Sequence, residues 1–152
     1  MMGIENTAAR ELGESLRPFG FAGPAFSCAV QTLPAQLVTG GELSPGTRVV
    51  LVVATARPQR FVSAARGAGF SVADFLTFPD HHGYPDRSLR LIEETWAAAN
   101  ADAVLTTSKD RVKLLGRLDL PLAELPIRAQ PDDSFWTWLS RRLDQQMAAS
   151  RP

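Results

Sequence analysis

Apolar positions between Arg48 and Ile127 switch back and forth between strand and helix spacing. Val49-Val50-Leu51-Val52-Val53-Ala54 is an unbroken apolar run rich in β-branched residues, the pattern of a strand covered on both faces. Pro58 suits the first turn of a helix, in which Phe61, Ala65 and Ala68 recur at helical spacing and Gly69 is the terminator. Phe70 to Phe78 reads as the next strand. Leu89, Ile92, Trp96 and Ala99 then form the inner face of a helix. Ala103 to Thr106 is a short strand, and Thr107 or Ser108 caps a helix carrying Lys109, Asp110, Val112 and Leu115. Leu122 to Ile127 is predicted as a last strand. Asp132 or Asp133 caps a final helix whose Phe135, Trp138, Leu139 and Leu143 make one buried stripe, with Met147 beyond them.

Before Arg48 the pattern is weaker. Residues 5 to 17 predict an amphipathic helix with Ala9, Leu12 and Leu16 on one face, ended by Pro18 and Gly20. Ala25 to Gln31 predicts a short strand with Phe26, Cys28 and Val30 on one face, and a hinge-like loop follows. The expected organisation is an irregular N-terminal segment (1–47), an α/β domain (48–149) and a frayed tail (150–152).

Alternating strands and helices predict an α/β fold, a small parallel sheet with helices on both faces. Loops leaving the carboxyl ends of parallel strands share one rim, where ligands of such sheets bind. Here those loops are Thr55-Ala56-Arg57-Pro58, the stretch around Asp80-His81-His82, and Thr106-Thr107-Ser108-Lys109-Asp110. Each opens a helix, whose free amides favour an anion. The rim therefore suits a phosphorylated substrate. Both histidines of the protein lie in the middle loop. His81 and His82 are candidates for moving a proton and Asp80 for orienting an imidazole; the same three residues also suit a tight, internally capped turn. Lys109 suits a phosphate contact, and Arg57 does so more weakly. Asp110 suits either the site or its own helix dipole.

Composition narrows the partners. The 152 residues are 45% apolar and 21% charged, with 16 basic and 16 acidic side chains, so no global charge argues for nucleic acid. A single cysteine, Cys28, leaves no internal disulfide and is predicted to be a small buried hydrophobe. No apolar run approaches the roughly 18 residues that span a bilayer. With Glu5 and Glu11 near the start and no signal-peptide pattern, the expected location is cytoplasmic, or peripheral to a membrane at most. Trp136 and Trp138 beside Arg141 and Arg142 also suit a membrane-surface helix, but the coherent apolar stripe favours the core. Asp-His-His resembles the metal-binding string of the DHH phosphoesterases. That reading needs further aspartates upstream, and residues 1–47 hold none, so no metal is expected.

Phe78-Pro79-Asp80-His81-His82-Gly83-Tyr84, then Thr106-Thr107 with Lys109-Asp110, resemble the second half of tetraacyldisaccharide 4'-kinase. Pro58 with Phe61, and Phe135-Trp136 before a terminal helix, add to the likeness, which covers residues 20 to 145. Two places depart from the family pattern. Ala54-Thr55-Ala56-Arg57 replaces a turn containing Gly-Ile, and Ser108 replaces an acid. The resemblance implies the C-terminal subdomain of a P-loop-kinase-like enzyme, an ATP-dependent transferase of lipid A biosynthesis. Its acceptor is the 4'-hydroxyl of a tetraacyl disaccharide 1-phosphate at the inner face of the cytoplasmic membrane.

By the same resemblance, His81, with His82 as second choice, works at the acceptor hydroxyl beside an aspartate of the other half, and Asp80 supports it. Lys109, Asp110, Thr107 and Arg57 are the implied substrate contacts. ATP and Mg²⁺ belong to the family's P-loop half. This sequence has no G-x-x-x-x-G-K-S/T run, and its only lysines are Lys109 and Lys113. No cofactor is therefore expected to bind this chain alone, and it is expected to be inactive by itself. Its partners would be the acylated disaccharide phosphate, a separately encoded P-loop half and the inner-membrane surface. The other reading is a non-catalytic remnant or binding module.

Overall fold

The structure, a computed structural model, describes residues 4–149. Its elements are α1 (Ile4–Leu16), β1 (Cys28–Thr32), β2 (Gln36–Leu37), β3 (Arg48–Ala54), α2 (Pro58–Gly67), β4 (Ser71–Phe78), α3 (Asp86–Ala98), β5 (Ala103–Thr106), α4 (Ser108–Leu114), β6 (Leu122–Glu124), β7 (Ile127–Pro131) and α5 (Asp133–Ala149). A short 3-10 turn, Arg17–Phe19, follows α1. The predicted frayed tail, 150–152, lies outside the described residues. The described residues form two compact units, one of residues 32–127 and one of 4–31 with 128–149. Residues 32–47, hinge-like in the sequence, contribute β2 to the first of these.

In the 32–127 unit a five-stranded sheet runs in the order β2-β6-β5-β3-β4. β3 pairs parallel with β4 and β5, and β5 pairs parallel with β6; β2 is antiparallel to β6. The sheet is thus mixed at one edge and parallel elsewhere. Val49 to Ala54 are all fully buried. Val49, Leu51 and Val53 pack with Phe61, Val62 and Ala65 of α2. Val50, Val52 and Ala54 pack with Tyr84, Ile92 of α3 and Leu114 of α4. Helices therefore cover both faces, as the unbroken apolar run requires. Each such aliphatic side chain contributes about 1.5–3 kcal/mol by burial. Gly69 ends α2 in the left-handed region, at φ 88°, and a Cβ there would lie 3.1 Å from that of Pro45.

The single strand expected over Leu122 to Ile127 is two strands in different sheets. Leu125 makes the last bond to β5, its N–H donating to Thr106 O at 2.9 Å. Pro126 has no N–H to continue a ladder. Its carbonyl instead accepts from Leu33 N at 2.9 Å.

In the other unit, β1 and β7 form a two-stranded ribbon. Asp132 starts α5: its carboxylate accepts from Phe135 N at 3.1 Å and Ser27 N at 3.0 Å. Phe26 packs against Phe135 and Trp138 with ring centroids 5.5 and 5.4 Å apart. Two sequence expectations are corrected here. Cys28 is exposed, because both faces of the ribbon strand β1 are largely open. The stripe on α5 is not buried: Trp138 and Leu143 are exposed, and Phe135 and Leu139 are only half-buried.

Candidate functional site

Because β3, β4 and β5 are parallel, their carboxyl ends open on one rim of the 32–127 unit. The loop after β4 carries the two histidines, and the structure gives them opposite environments. His82 is half-buried, stacked on Phe78 with ring centroids 4.6 Å apart and planes 13° apart, and edge-on to Tyr84 at 5.1 Å. Its Nε2 lies 2.9 Å from Ser88 Oγ in the first turn of α3. His81 is 87% exposed. Its backbone is left-handed, at φ 61°, as is that of Tyr84, at φ 50°. Each such conformation costs a non-glycine residue about 1–2 kcal/mol, so other contacts must hold the loop.

Asp80 supplies several of them. Its Oδ1 accepts from His81 N at 3.0 Å and from Lys109 Nζ at 2.6 Å, and its Oδ2 lies 3.7 Å from His81 Nε2. The Lys109 ammonium, then the His81 amide, hold the Asp80 carboxyl below its ordinary value of 3.8. The hydrogen bond to Asp80 raises Lys109 in turn. A depressed carboxyl contributes order above its unfolded pKa, about 3.9, and loses it as pH falls through the lower folded value. A raised ammonium contributes below its unfolded pKa, about 10.4, and loses this as pH rises through the folded value. The tie is therefore complete between about pH 4 and 10.4. Lys109→Met moves the Asp80 carboxyl titration upward, read by ¹³C NMR; coincident curves for variant and wild type would refute the tie.

The loop after β5 works inward. Thr107 is the N-cap of α4: its Oγ1 accepts from Asp110 N at 3.1 Å and donates to Asp110 Oδ2 at 3.0 Å. Asp110 is fully buried, and the same Oδ2 accepts from Ala54 N, at the end of β3, at 2.9 Å. Its Oδ1 faces Lys113 Nζ at 3.6 Å. Burial, followed by the Asp110 charge, pushes the nearby Tyr84 phenol far above its usual range. Of these two implied substrate contacts, Asp110 thus ties α4 to the central strand through Oδ2, and Thr107 caps the helix. Arg57 is exposed just before α2 and makes no ion pair among the described residues.

Sequence reasoning missed Ser88, Lys113 and Arg117, all of which touch the histidine loop. The intervals of four from Lys109 to Lys113 and Arg117 hint at a shared side, but only the parallel register brings α3, α4 and the turn after α4 beside the loop. An open groove of about 490 Å³ runs from His82 and Phe78 along α3, with Arg87, Arg90 and Leu91 on its wall.

Residues 5–144 match the protein family described as Tetraacyldisaccharide-1-P 4'-kinase. The Tetraacyldisaccharide 4'-kinase of Syntrophus aciditrophicus is 32% identical over 119 residues, which are 76% of this chain and 32% of that protein. That of Desulfatibacillum aliphaticivorans is 30% identical over 157 residues, 92% of this chain and 42% of that protein. The chain spans about a third to two fifths of the length of these curated relatives. A crystal structure of LpxK from Aquifex aeolicus in complex with ATP is similar over 84% of this chain and 40% of its own, with 18% identity and a TM-score of 0.44.

Proposed function

The chain belongs to the tetraacyldisaccharide-1-P 4'-kinase family, and from that membership we propose that it forms the acceptor-side part of such a kinase. The reaction would transfer the γ-phosphoryl group of ATP to the 4'-hydroxyl of a tetraacyl disaccharide 1-phosphate, a lipid A precursor. The observation that carries this reading is His81, exposed on the rim with Asp80 at 3.7 Å. As the acceptor oxygen bonds to the γ-phosphorus, the bond from that phosphorus to the bridging oxygen breaks and ADP leaves. His81 takes the hydroxyl proton, and the Asp80 carboxylate stabilises the imidazolium so formed. Lys109 neutralises Asp80 at rest and stands on the same rim to meet a phosphate.

In this reading the nucleotide and its Mg²⁺ are held outside this rim, since the sequence has no G-x-x-x-x-G-K-S/T run. Among the described residues no group of three or more His, Cys, Asp or Glu is placed to hold a metal ion. Asp110, the rim's deepest carboxylate, is sealed from solvent. The proposal gives binding of the nucleotide and Mg²⁺ to the remainder of the family's chain, whether encoded in the same protein or separately. The acylated acceptor would place the assembled kinase at the cytoplasmic face of the inner membrane. No helix among the described residues is long and apolar enough to cross it.

The test is reconstitution. The purified chain is mixed with ATP, Mg²⁺ and the tetraacyl disaccharide 1-phosphate, with and without the Walker A-bearing half of a curated relative. Labelled 4'-phosphate is expected only when that half is present. Product from the chain alone would overturn the division of labour. No product in any pairing would leave a binding module without kinase activity.

A further inference from the structure

We infer that Lys113 and Arg117 are positioning residues for His81, completing with Lys109 a three-cation clamp that sets the histidine loop. The inference rests on the acceptor-side reading above for its catalytic consequence, though not for its geometry. The three basic residues follow one another at intervals of four, and each grips a different point of one loop. Lys109 Nζ donates to Asp80 Oδ1 at 2.6 Å. Lys113 Nζ donates to His82 O at 3.0 Å. Arg117 Nη1 donates to Gly83 O at 3.3 Å, and its Nη2 lies 3.9 Å from Asp86 at the start of α3. The points gripped flank His81 on both sides.

What distinguishes this clamp from a scatter of surface charges is its footing. Asp110 ties the first turn of α4 to Ala54 N at the end of the fully buried strand β3. Lys109 and Lys113 of α4 are therefore registered against a fully buried strand, with Arg117 just beyond the helix. Lys113 belongs to both levels: it faces Asp110 at 3.6 Å and sits 5.9 Å above the Tyr84 ring centroid, while it bonds the His82 carbonyl. The loop it holds contains two left-handed non-glycine residues, His81 and Tyr84, so its shape is not one that the free chain prefers. Drawing the His82 and Gly83 carbonyls toward α4 fixes the peptide planes that follow His81. The backbone that carries the His81 imidazole is thereby held in place on the rim. Such placement is worth a large factor in rate, since misplacement of a reacting group by an ångström can cost about a hundredfold.

The experiment has two readouts. In the isolated chain, ¹⁵N relaxation of residues 80–84 is measured for wild type, Lys113→Met, Lys113→Arg and Arg117→Gln. Lys113→Met is expected to drop the order parameters at His81 and His82 below about 0.6, and Lys113→Arg, which keeps a donor, to restore most of the loss. Arg117→Gln, at a more exposed position, guards against a Lys113 variant that fails to fold. It is expected to loosen Gly83 while the thermal midpoint stays near wild type. In the reconstituted kinase, Lys113→Met is expected to lower kcat about tenfold with KM little changed. A merely structural role would lower the folded fraction and leave kcat per folded molecule intact. Rigid loop amides in both Lys113→Met and Arg117→Gln would overturn the clamp. If no pairing yields product, the acceptor-side reading fails, and the relaxation data still decide whether the clamp exists.

Discussion

In a reconstituted kinase, His81→Ala is expected to lower kcat by about 10²–10⁴-fold, the range for loss of a general base, while leaving the thermal midpoint almost unchanged. His81 is 87% exposed, and its side chain faces Asp80 at 3.7 Å, so its removal leaves no buried group among the described residues without a partner. His82→Ala is expected to behave in the opposite way. That imidazole stacks on Phe78, meets Tyr84 edge-on and bonds Ser88 Oγ. Losing two aromatic contacts and a half-buried hydrogen bond costs about 2 kcal/mol, and activity falls only as far as the loop slackens. Steady-state kinetics beside circular-dichroism melts separate the two. Equal kinetic losses with unchanged KM and equal melts would show that the two imidazoles share one role, and the assignment to His81 would go.

Asp110→Ala is expected to destabilise the 32–127 unit by about 3 kcal/mol, near the lower end of the range for breaking a buried charge pair. Three groups lose their acceptor at once. Ala54 N–H is left buried without a bond, the Thr107 hydroxyl loses its partner, and Lys113 faces an empty site. Lys113 is 28% exposed, so water repays part of its loss, which is why the lower end applies. At roughly 2–4 °C per kcal/mol for a chain of this size, the thermal midpoint should fall by about 6–12 °C. Asp110→Asn keeps an oxygen for Ala54 N and should fall much less. A drop below about 3 °C for the alanine variant would mean that α4 is held by packing alone.

The central succession of β3, α2, β4, α3, β5 and α4 was legible because each element has its own apolar period, and β3 is buried on both faces. The rim followed from topology alone. Three kinds of feature were not legible. Pro126 moves β7 into another sheet, yet Leu122 to Ile127 keeps one apolar texture throughout. The openness of β1 and of α5 depends on what covers them, and local periodicity reports only which face is apolar, not whether anything meets it. Within the site, the motif names both histidines alike. What separates them is a positive φ at His81 and, at His82, a stack on Phe78 of β4 with bonds to Ser88 of α3 and Lys113 of α4. Asp110 and Thr107 were implied as substrate contacts by the family resemblance, which names residue types and not the direction in which a side chain turns. That the Asp110 carboxylate turns back to the amide of Ala54 was not legible in the motif.

The hydrogen bond from Leu33 N to Pro126 O has a consequence for modularity. It places the two ends of residues 32–127 side by side, so the segment leaves and rejoins the rest of the chain through a single doorway. A segment with adjoining ends can be cut out, circularly permuted or set into the loop of another scaffold at little cost in chain entropy. The histidine loop, α4 with its cations, and the strand that registers them all lie within that segment. The residues that set the rim's geometry therefore all lie within one contiguous segment.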